Sequence, residues 1–185
     1  MNNKVTSKEE LLEVSKGLVR SQGWSAVNIR SVAKACGVSI GAIYNYFDDK
    51  AALVTATVES IWQEIFHRPK NRPPFQDIHT YTLWVYDRMA VGSKRYPDFF
   101  TLHSLGFVAG DQSEAKARMQ ETRQHILDGI CNVLKRDEHV RPDAFNEAFT
   151  VDMFASILFS LMLSAMLRHD YDPTAILEMI RRTLY

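Results

Sequence analysis

The chain has 185 residues, enough for one domain or for a small domain joined to a larger one. Hydrophobic residues make up 46% of it and only 8 Gly and 6 Pro occur, which excludes a disordered protein and favours a packed helical one. The 22 basic and 22 acidic residues cancel, so nucleic-acid binding would have to depend on a local basic face.

The first predicted helix covers residues 7–22. Ser7 and Glu10 have the spacing of a capping box, and Gly23 follows as a helix stop. Apolar residues at helical spacing give this segment a buried face. The polar residues before it lack the apolar run of a signal peptide, so we expect none.

Residues 28–50 predict two short helices joined by a tight turn, followed by the start of a longer helix. Asn28 and Ser39 are good N-caps for the two short helices, because their side chains can accept from backbone N–H groups of the first turn. Gly37 lies between them and can adopt the left-handed conformation that ends a helix.

The spacing of three residues in this segment is that of a helix-turn-helix. Ala33 lets the two helices approach, Gly37 makes the turn, and Ile43 is the branched residue of the second helix. Residues 39–47 would then be the recognition helix that enters the major groove of DNA. The spacing alone is also compatible with an ordinary helical hairpin in an all-α protein.

The residues around this pattern resemble the TetR family of bacterial transcriptional regulators, over residues 6 to 54. The matching residues are Asn28-Ile29-Arg30, Val32-Ala33, Gly37-Val38-Ser39, Gly41-Ala42-Ile43-Tyr44, Tyr46-Phe47 and Lys50-Ala51-Ala52-Leu53. The resemblance implies a DNA-binding domain at residues 1–50 and an effector-binding and dimerisation domain at residues 51–185. It also implies a homodimer that binds a double-stranded DNA operator and is usually a repressor.

The predicted DNA contacts lie on and around the recognition helix. Asn45 is the best candidate for base reading, since its amide can pair bidentately with adenine. Relatives often carry a basic residue where this chain has Ile40, so strong guanine reading by this helix is not expected. Arg30 and Lys50 are predicted to contact phosphates through their charges, and Tyr44 and Tyr46 through their hydroxyls. The full predicted set of DNA-contacting residues is Arg30, Ser39, Ile40, Gly41, Ala42, Tyr44, Asn45, Tyr46 and Lys50.

The rest of the chain predicts six further helices and no strands. They cover about residues 50–67, 75–95, 98–108, 113–136, 142–169 and 172–185, with prolines at several of the breaks. The run of residues 153–167 is almost wholly apolar but shorter than a membrane span, so we expect a helix buried on most sides. The predicted fold is all-α, with about nine helices.

Residues after about position 55 hold more aromatic and apolar material than a DNA reader needs. By resemblance, this region would bind a small effector, and its composition favours an apolar or aromatic one. The alternative for each residue is an ordinary core position. The candidates for an effector-binding cavity between the fourth and eighth predicted helices are Trp62, Phe66, Trp84, Arg88, Phe100, His103, Phe107, Met119, Phe149 and Met153.

Serines recur every four residues in the eighth predicted helix, where small side chains would let another helix approach closely. This helix and the ninth are the candidate dimer interface, as the resemblance also implies. The alternative is that both helices fill the core of one subunit. The residues concerned are Ser156, Ser160, Ser164, Ile176 and Ile180.

Catalytic and metal-binding patterns do not stand out in the sequence. The six His lack metal-ligand spacing, and we expect no enzymatic activity, cofactor, metal or membrane partner. Cys36 and Cys131 lie in apolar helical patterns, typical of buried thiols in a cytoplasmic protein. The remaining alternative is a helical ligand-binding or adaptor protein that has lost specific DNA binding.

Overall fold

The computed structural model describes residues 6–69, 71–103 and 114–185, with side chains from residue 121 onward in the last range. The described residues form α-helices, one 3₁₀ turn at Trp24–Ala26 and no strand, which confirms the predicted all-α fold. The helices are α1 (Lys8–Gln22), α2 (Ile29–Cys36), α3 (Ile40–Tyr44), α4 (Lys50–Ile65), α5 (Ile78–Arg95), α6 (Phe99–His103), α7 (Glu114–Arg136), α8 (Val151–Arg168) and α9 (Thr174–Leu184).

The chain divides into two compact units. The first comprises Met1–His67 and Lys94–Pro97, and the second comprises Arg68–Ser93 and Asp98–Tyr185. The first unit therefore holds α1 to α4 and the last residues of α5. In this division, α4 belongs to the same unit as the DNA-reading helices. The predicted boundary between residues 50 and 51 divides the chain by function, and it stays a prediction.

In the first unit, α1 packs against α2 and α4, and α2 packs against α3. Leu11, Val32, Ile43, Leu53 and Ile61 are fully buried and form its core. Each comes from the apolar face of its own helix, so burial of these faces holds the short helices α2 and α3 in place. Neither helix is long enough to be stable alone.

The caps around α2 and α3 are those predicted. The Asn28 side chain accepts a hydrogen bond from the Ser31 N–H at 3.0 Å. Gly37 has φ 69° and ψ 33°, and the Val38 N–H bonds the Ala33 carbonyl at 3.0 Å. This pattern closes α2 and reverses the chain sharply into α3.

In the second unit, α8 packs against α6 and α7. Buried aromatic and aliphatic residues from these helices form the core, among them Phe99, Phe100, Ile130, Phe154 and Leu158. The helix α5 begins at Ile78 and not at residue 75, because the Asp77 side chain caps it by accepting from the Thr80 N–H at 2.6 Å.

The start of α8 differs from the prediction. We expected a helix from about residue 142, but α8 begins at Val151 behind the N-cap Thr150, whose hydroxyl accepts from the Met153 N–H at 3.2 Å. The Asn146 side chain accepts from the N–H groups of Ala148 and Phe149, both at 2.9 Å. These bonds stabilise a turn in place of a helix.

Within the described part of the chain, α8 alone is long and apolar enough to cross a membrane. Its 18 residues have a mean hydropathy of 1.6, and 44% of them are buried. The prediction of burial on most sides was too strong, because one side of α8 stays exposed and carries Met153, Ile157 and Leu161. Core helices commonly have the same length and composition.

Candidate nucleic-acid interface

The helix α3 presents one buried and one exposed side. Ile43 and Phe47 are buried and hold it against the first unit's core. The Ser39 hydroxyl caps its start by accepting from the Ala42 N–H at 3.2 Å. The remaining predicted contact residues of this segment are accessible: Ser39, Ile40, Gly41, Tyr44, Asn45 and Tyr46 are exposed, and Ala42 is half-buried.

The recognition helix is shorter than predicted. It ends at Tyr44, and Asn45 is its C-cap, with φ −69° and ψ −16°. The exposed Asn45 amide forms no side-chain hydrogen bond with any described residue. Its two donors and its acceptor are therefore available for a base edge, as the predicted adenine contact requires.

Gly41 is exposed in the first turn of α3, and the fold does not require a glycine there. A Cβ added to it would meet only the Ser39 Oγ, at 3.8 Å, which is an ordinary contact. The absence of a side chain therefore leaves the backbone open to close approach by another molecule.

Tyr46 has a role that sequence reasoning missed. Its hydroxyl donates to the Thr6 carbonyl at 2.5 Å and so ties the residue before α1 to the end of α3. The hydroxyl proton is thus already used, and donation to a phosphate would compete with this bond. The two partners are 40 positions apart, so the sequence carried no local signal of this bond.

Exposed basic residues on α1, α2 and α4 lack neutralising partners among the described residues. Arg30 and Lys50, both predicted contacts, are exposed, and so is Lys34 at the end of α2. Lys8 is exposed as well and lies 5.7 Å above the Phe47 ring, next to the end of α3. Among the described residues none of the four forms an ion pair, so these charges are available to a polyanion.

The predicted effector residues occur in both units. Trp62 and Phe66 stack at 5.7 Å in the first unit. In the second unit, Trp84 contacts Phe75 and Tyr81, whereas Phe149 contacts Phe145 and Phe154. Arg88 pairs with its neighbour Asp87 at 2.5 Å. Phe107 and the side chain of Met119 lie outside the described residues.

Phe100 and His103 lie together on α6. The Phe99 ring contacts both: its centroid lies 5.5 Å from that of Phe100 and 5.2 Å from that of His103. Burial lowers the pKa of His103 to about 4, so its imidazole is neutral at pH 7. A neutral imidazole among phenyl rings suits an apolar environment and does not provide a positive anchor for an anion.

Met153 is placed differently from its prediction. We expected it to line a cavity, but half of its surface (50%) is exposed on α8. An open groove of about 540 Å³ in the second unit is lined by other residues: Asp77, His79, Thr80, His139 and Tyr185. The prediction that the effector candidates share one cavity stays a prediction.

The dimer candidates also divide. Ser156 and Ser164 are half-buried and Ser160 is exposed, all on α8. Ile176 and Ile180 are only 7% and 0% exposed, so their side chains belong to the core of the subunit and cannot form its surface. On α8, the exposed apolar residues that sequence reasoning missed are Ile157 and Leu161, one and two helical turns after Met153.

Comparison with known proteins matches the first unit to a family. Residues 11–57 match the family model described as bacterial regulatory proteins, tetR family. The nucleoid occlusion factor SlmA of Haemophilus ducreyi is 43% identical over 58 residues, which are 31% of this chain and 29% of that protein. The HTH-type transcriptional repressor KstR of Rhodococcus jostii is 30% identical over 66 residues, or 36% and 31% of the two chains.

The chain thus spans less than a third of the length of these two relatives. A solved TetR transcriptional regulator from Legionella pneumophila shares the fold over 100% of both chains, with a TM-score of 0.62 and 16% identity. The helix-turn-helix residues predicted from the sequence lie within the matched segment. Residues 11–57 therefore belong to the tetR family of bacterial regulatory proteins.

Proposed function

We propose that this chain is a transcriptional regulator that binds a palindromic double-stranded DNA operator as a homodimer. Repression, relieved by a small apolar or aromatic effector, is the proposed mode of action. The observation that carries the proposal is the exposed side of α3, where the Asn45 amide forms no hydrogen bond with a described residue, together with four cations on α1, α2 and α4 that form no ion pair. The proposed function gives the chain no catalytic role and places it in the cytoplasm, with the bacterial chromosome.

DNA binding follows from how these groups are held. Ile43 and Phe47 fix α3 to the core, so its outer side is presented as a rigid surface. Asn45 would read a base edge, while Arg30 and Lys50 would contact phosphates and set the register on the duplex. Lys8 and Lys34 add positive charge beyond the predicted set.

A homodimer is favoured by the exposed apolar side of α8. Met153, Ile157 and Leu161 recur every four residues and form one stripe. Ser160 lies beside this stripe, and its hydroxyl donates to the Ser156 carbonyl at 2.8 Å, so it presents no unsatisfied donor. Two copies of such a stripe can bury each other around a two-fold axis and present two readers to a palindrome.

An effector would act by preferring one arrangement of the two DNA readers over another. The aromatic groups of the second unit, around Trp84, Phe100 and Phe149, favour an apolar or aromatic molecule. Isothermal calorimetry with a panel of apolar, aromatic and charged compounds tests this part. Binding by highly charged compounds alone would contradict it.

Operator binding can be tested by selecting random DNA duplexes with the purified chain and measuring the enriched duplex in gel shifts. Asn45→Ala is expected to weaken binding to this duplex by about 1–3 kcal/mol and to relax the selected sequence at one position. Unchanged sequence preference in a repeated selection would refute the base-reading role of Asn45.

Phosphate contact by Lys50 gives a different signature. Lys50→Ala should weaken binding to all duplexes alike and lower the slope of log affinity against log salt by about 1. The matched control is Lys135→Ala, an exposed lysine in the last turn of α7, which should leave both quantities unchanged. If no duplex is enriched and none shifts at low salt, the adaptor alternative replaces the proposed function.

A further inference from the structure

A cluster of charged and hydroxyl groups joins three helices inside the first unit. The carboxylate of Glu64, on α4, receives the Lys16 ammonium of α1 at 2.5 Å. It also receives the Tyr96 hydroxyl at 3.0 Å and the Arg95 Nε at 2.9 Å; Arg95 is the last residue of α5 and Tyr96 follows it directly. Arg20 of α1 in turn donates to the Tyr96 oxygen at 2.9 Å. We call these five residues the Glu64 cluster.

Several members of the Glu64 cluster are largely buried. Lys16 is only 4% exposed, Tyr96 is fully buried, and the side chain of Glu64 is 23% exposed. Burying charges is unfavourable unless each one meets a partner, and without Glu64 the buried Lys16 ammonium would keep only the exposed carboxylate of Glu13, at 2.5 Å. Hydrogen bonds are directional, so the cluster favours one arrangement of the segments that it joins.

The ionisation of the pair follows the same logic. Burial disfavours the charged form of Glu64, but the hydrogen bonds from Lys16 and Tyr96 and the nearby positive charges outweigh it and lower its pKa. Burial also opposes the charge of Lys16, and the carboxylates of Glu13 and Glu64 outweigh it and raise its pKa. Both groups are charged at neutral pH, so the contact persists.

Arg95 and Tyr96 connect the cluster to α5, a helix whose residues belong to both units. The helix α5 is continuous from Ile78 to Arg95. Its residues up to Ser93 belong to the second unit, whereas Lys94–Pro97 belong to the first. A continuous helix transmits a shift or rotation along its length, so its last turn carries any displacement of α5 to the residues bound there.

We propose that the Glu64 cluster is the joint through which α5 sets the position of α1 and α4, and with them the DNA reader. This inference rests on the proposed function and names its route of regulation. Tyr96 is a positioning residue, since its hydroxyl links α1 to α4 through Arg20 and Glu64 and would touch neither DNA nor effector. By reciprocity, operator binding to the reader must in turn stabilise the last turns of α5.

The test is amide hydrogen exchange of the full chain with and without its selected operator duplex. In the wild type, DNA should slow exchange in α2 and α3 and also, by at least about fivefold, in residues 85–95 of α5. Tyr96→Phe keeps the ring but removes the linking hydroxyl. It should retain the protection of α2 and α3 and lose that of α5.

The matched control is Tyr86→Phe, a buried tyrosine on α5 outside the cluster, which should behave as the wild type. Thermal unfolding checks that each variant is folded. If Tyr96→Phe does not fold, Arg20→Gln, which changes an exposed residue of the cluster, replaces it. The proposed role of the Glu64 cluster is wrong if DNA still slows exchange in α5 of both Tyr96→Phe and Arg20→Gln, or if DNA does not slow it in the wild type. Absence of protection in α2 and α3 of the wild type would instead overturn the proposed function itself.

Discussion

Single residues at the corner between α2 and α3 decide where one helix stops and the next begins. Gly37 occupies the left-handed region, Asn28 and Ser39 cap the helices, and Ile43 fixes the second helix to the core. Each of these roles depends on one side chain or on its absence. Substitutions there separate effects on the fold from effects on DNA binding.

Gly37→Ala should destabilise the protein through its backbone alone. A Cβ at Gly37 meets nothing within 4 Å, so the cost comes from φ 69° and should be about 1–2 kcal/mol. Gly129→Ala is the matched control, since it also has open space but lies within α7, where alanine should stabilise by about 1 kcal/mol. Urea unfolding measures both, and equal effects of the two substitutions would contradict the argument.

Gly41→Ala should have opposite effects on stability and binding. The added Cβ makes only an ordinary contact in the folded chain, so unfolding in urea should show unchanged or slightly increased stability. If the backbone of α3 approaches DNA at this residue, the same methyl group should weaken operator binding at least about tenfold, or 1.4 kcal/mol. Unchanged affinity in the gel shift would show that DNA does not approach Gly41.

At the scale of helices, the arrangement of α1, α4 and the end of α5 depends on polar contacts as well as on apolar packing. Leu11, Leu53 and Ile61 bury the apolar faces, and Glu64 then binds Lys16, Arg95 and Tyr96 beside them. Burial of apolar surface is the dominant favourable term in folding, and we propose that the directional polar contacts select one arrangement of the three helices.

Glu64→Gln should lower the free energy of unfolding by about 1–3 kcal/mol at pH 7, because Lys16 loses its buried partner. The pKa of Glu64 is lowered in the folded state, so its contribution is present above the ordinary value of 4.5 and is lost as the pH falls below it. The difference between wild type and variant should therefore shrink below about pH 4.5.

Glu147→Gln, at an exposed residue that forms no ion pair with a described residue, is the control and should unfold like the wild type at every pH. Urea unfolding at several pH values measures all three proteins. A difference for Glu64→Gln that stays constant down to pH 3 would refute a role for the Glu64 charge in stability.

At the scale of the whole molecule, function depends on two copies acting together. A single short helix reads few base pairs, whereas two readers on a two-fold axis multiply affinity and require a palindrome. The exposed stripe of α8 is the surface that we propose to join the two copies. It contains Met153, Ile157 and Leu161, with Ser160 beside them.

Leu161→Glu should convert the protein to a folded monomer and weaken operator binding by at least about a hundredfold, because a buried unpaired carboxylate opposes association. Leu83→Glu is the matched control, since Leu83 on α5 is 40% exposed and Leu161 is 38% exposed. Analytical ultracentrifugation measures the oligomeric state. A Leu161→Glu variant that remains dimeric would exclude this surface as the interface.

Much of the DNA reader could be predicted from the sequence, because its elements depend on interactions between residues close in the chain. The caps Ser7, Asn28 and Ser39 bond N–H groups three residues away, and the closure around Gly37 spans only residues 33–38. Apolar residues at helical spacing then identify the buried face of each helix. These local rules predicted the all-α fold and the helix-turn-helix, and the family was indicated by the resemblance of the residues in that segment.

Tertiary structure alone decided the contacts between distant residues. The bonds of Tyr46 with Thr6 and of Glu64 with Lys16 join residues 40 and 48 positions apart, and helical spacing carries no information about such pairs. It also decided which apolar residues face outward. Ile176 and Ile180 are buried and Met153, Ile157 and Leu161 are exposed, because only packing against neighbouring helices determines which side of an apolar helix is covered.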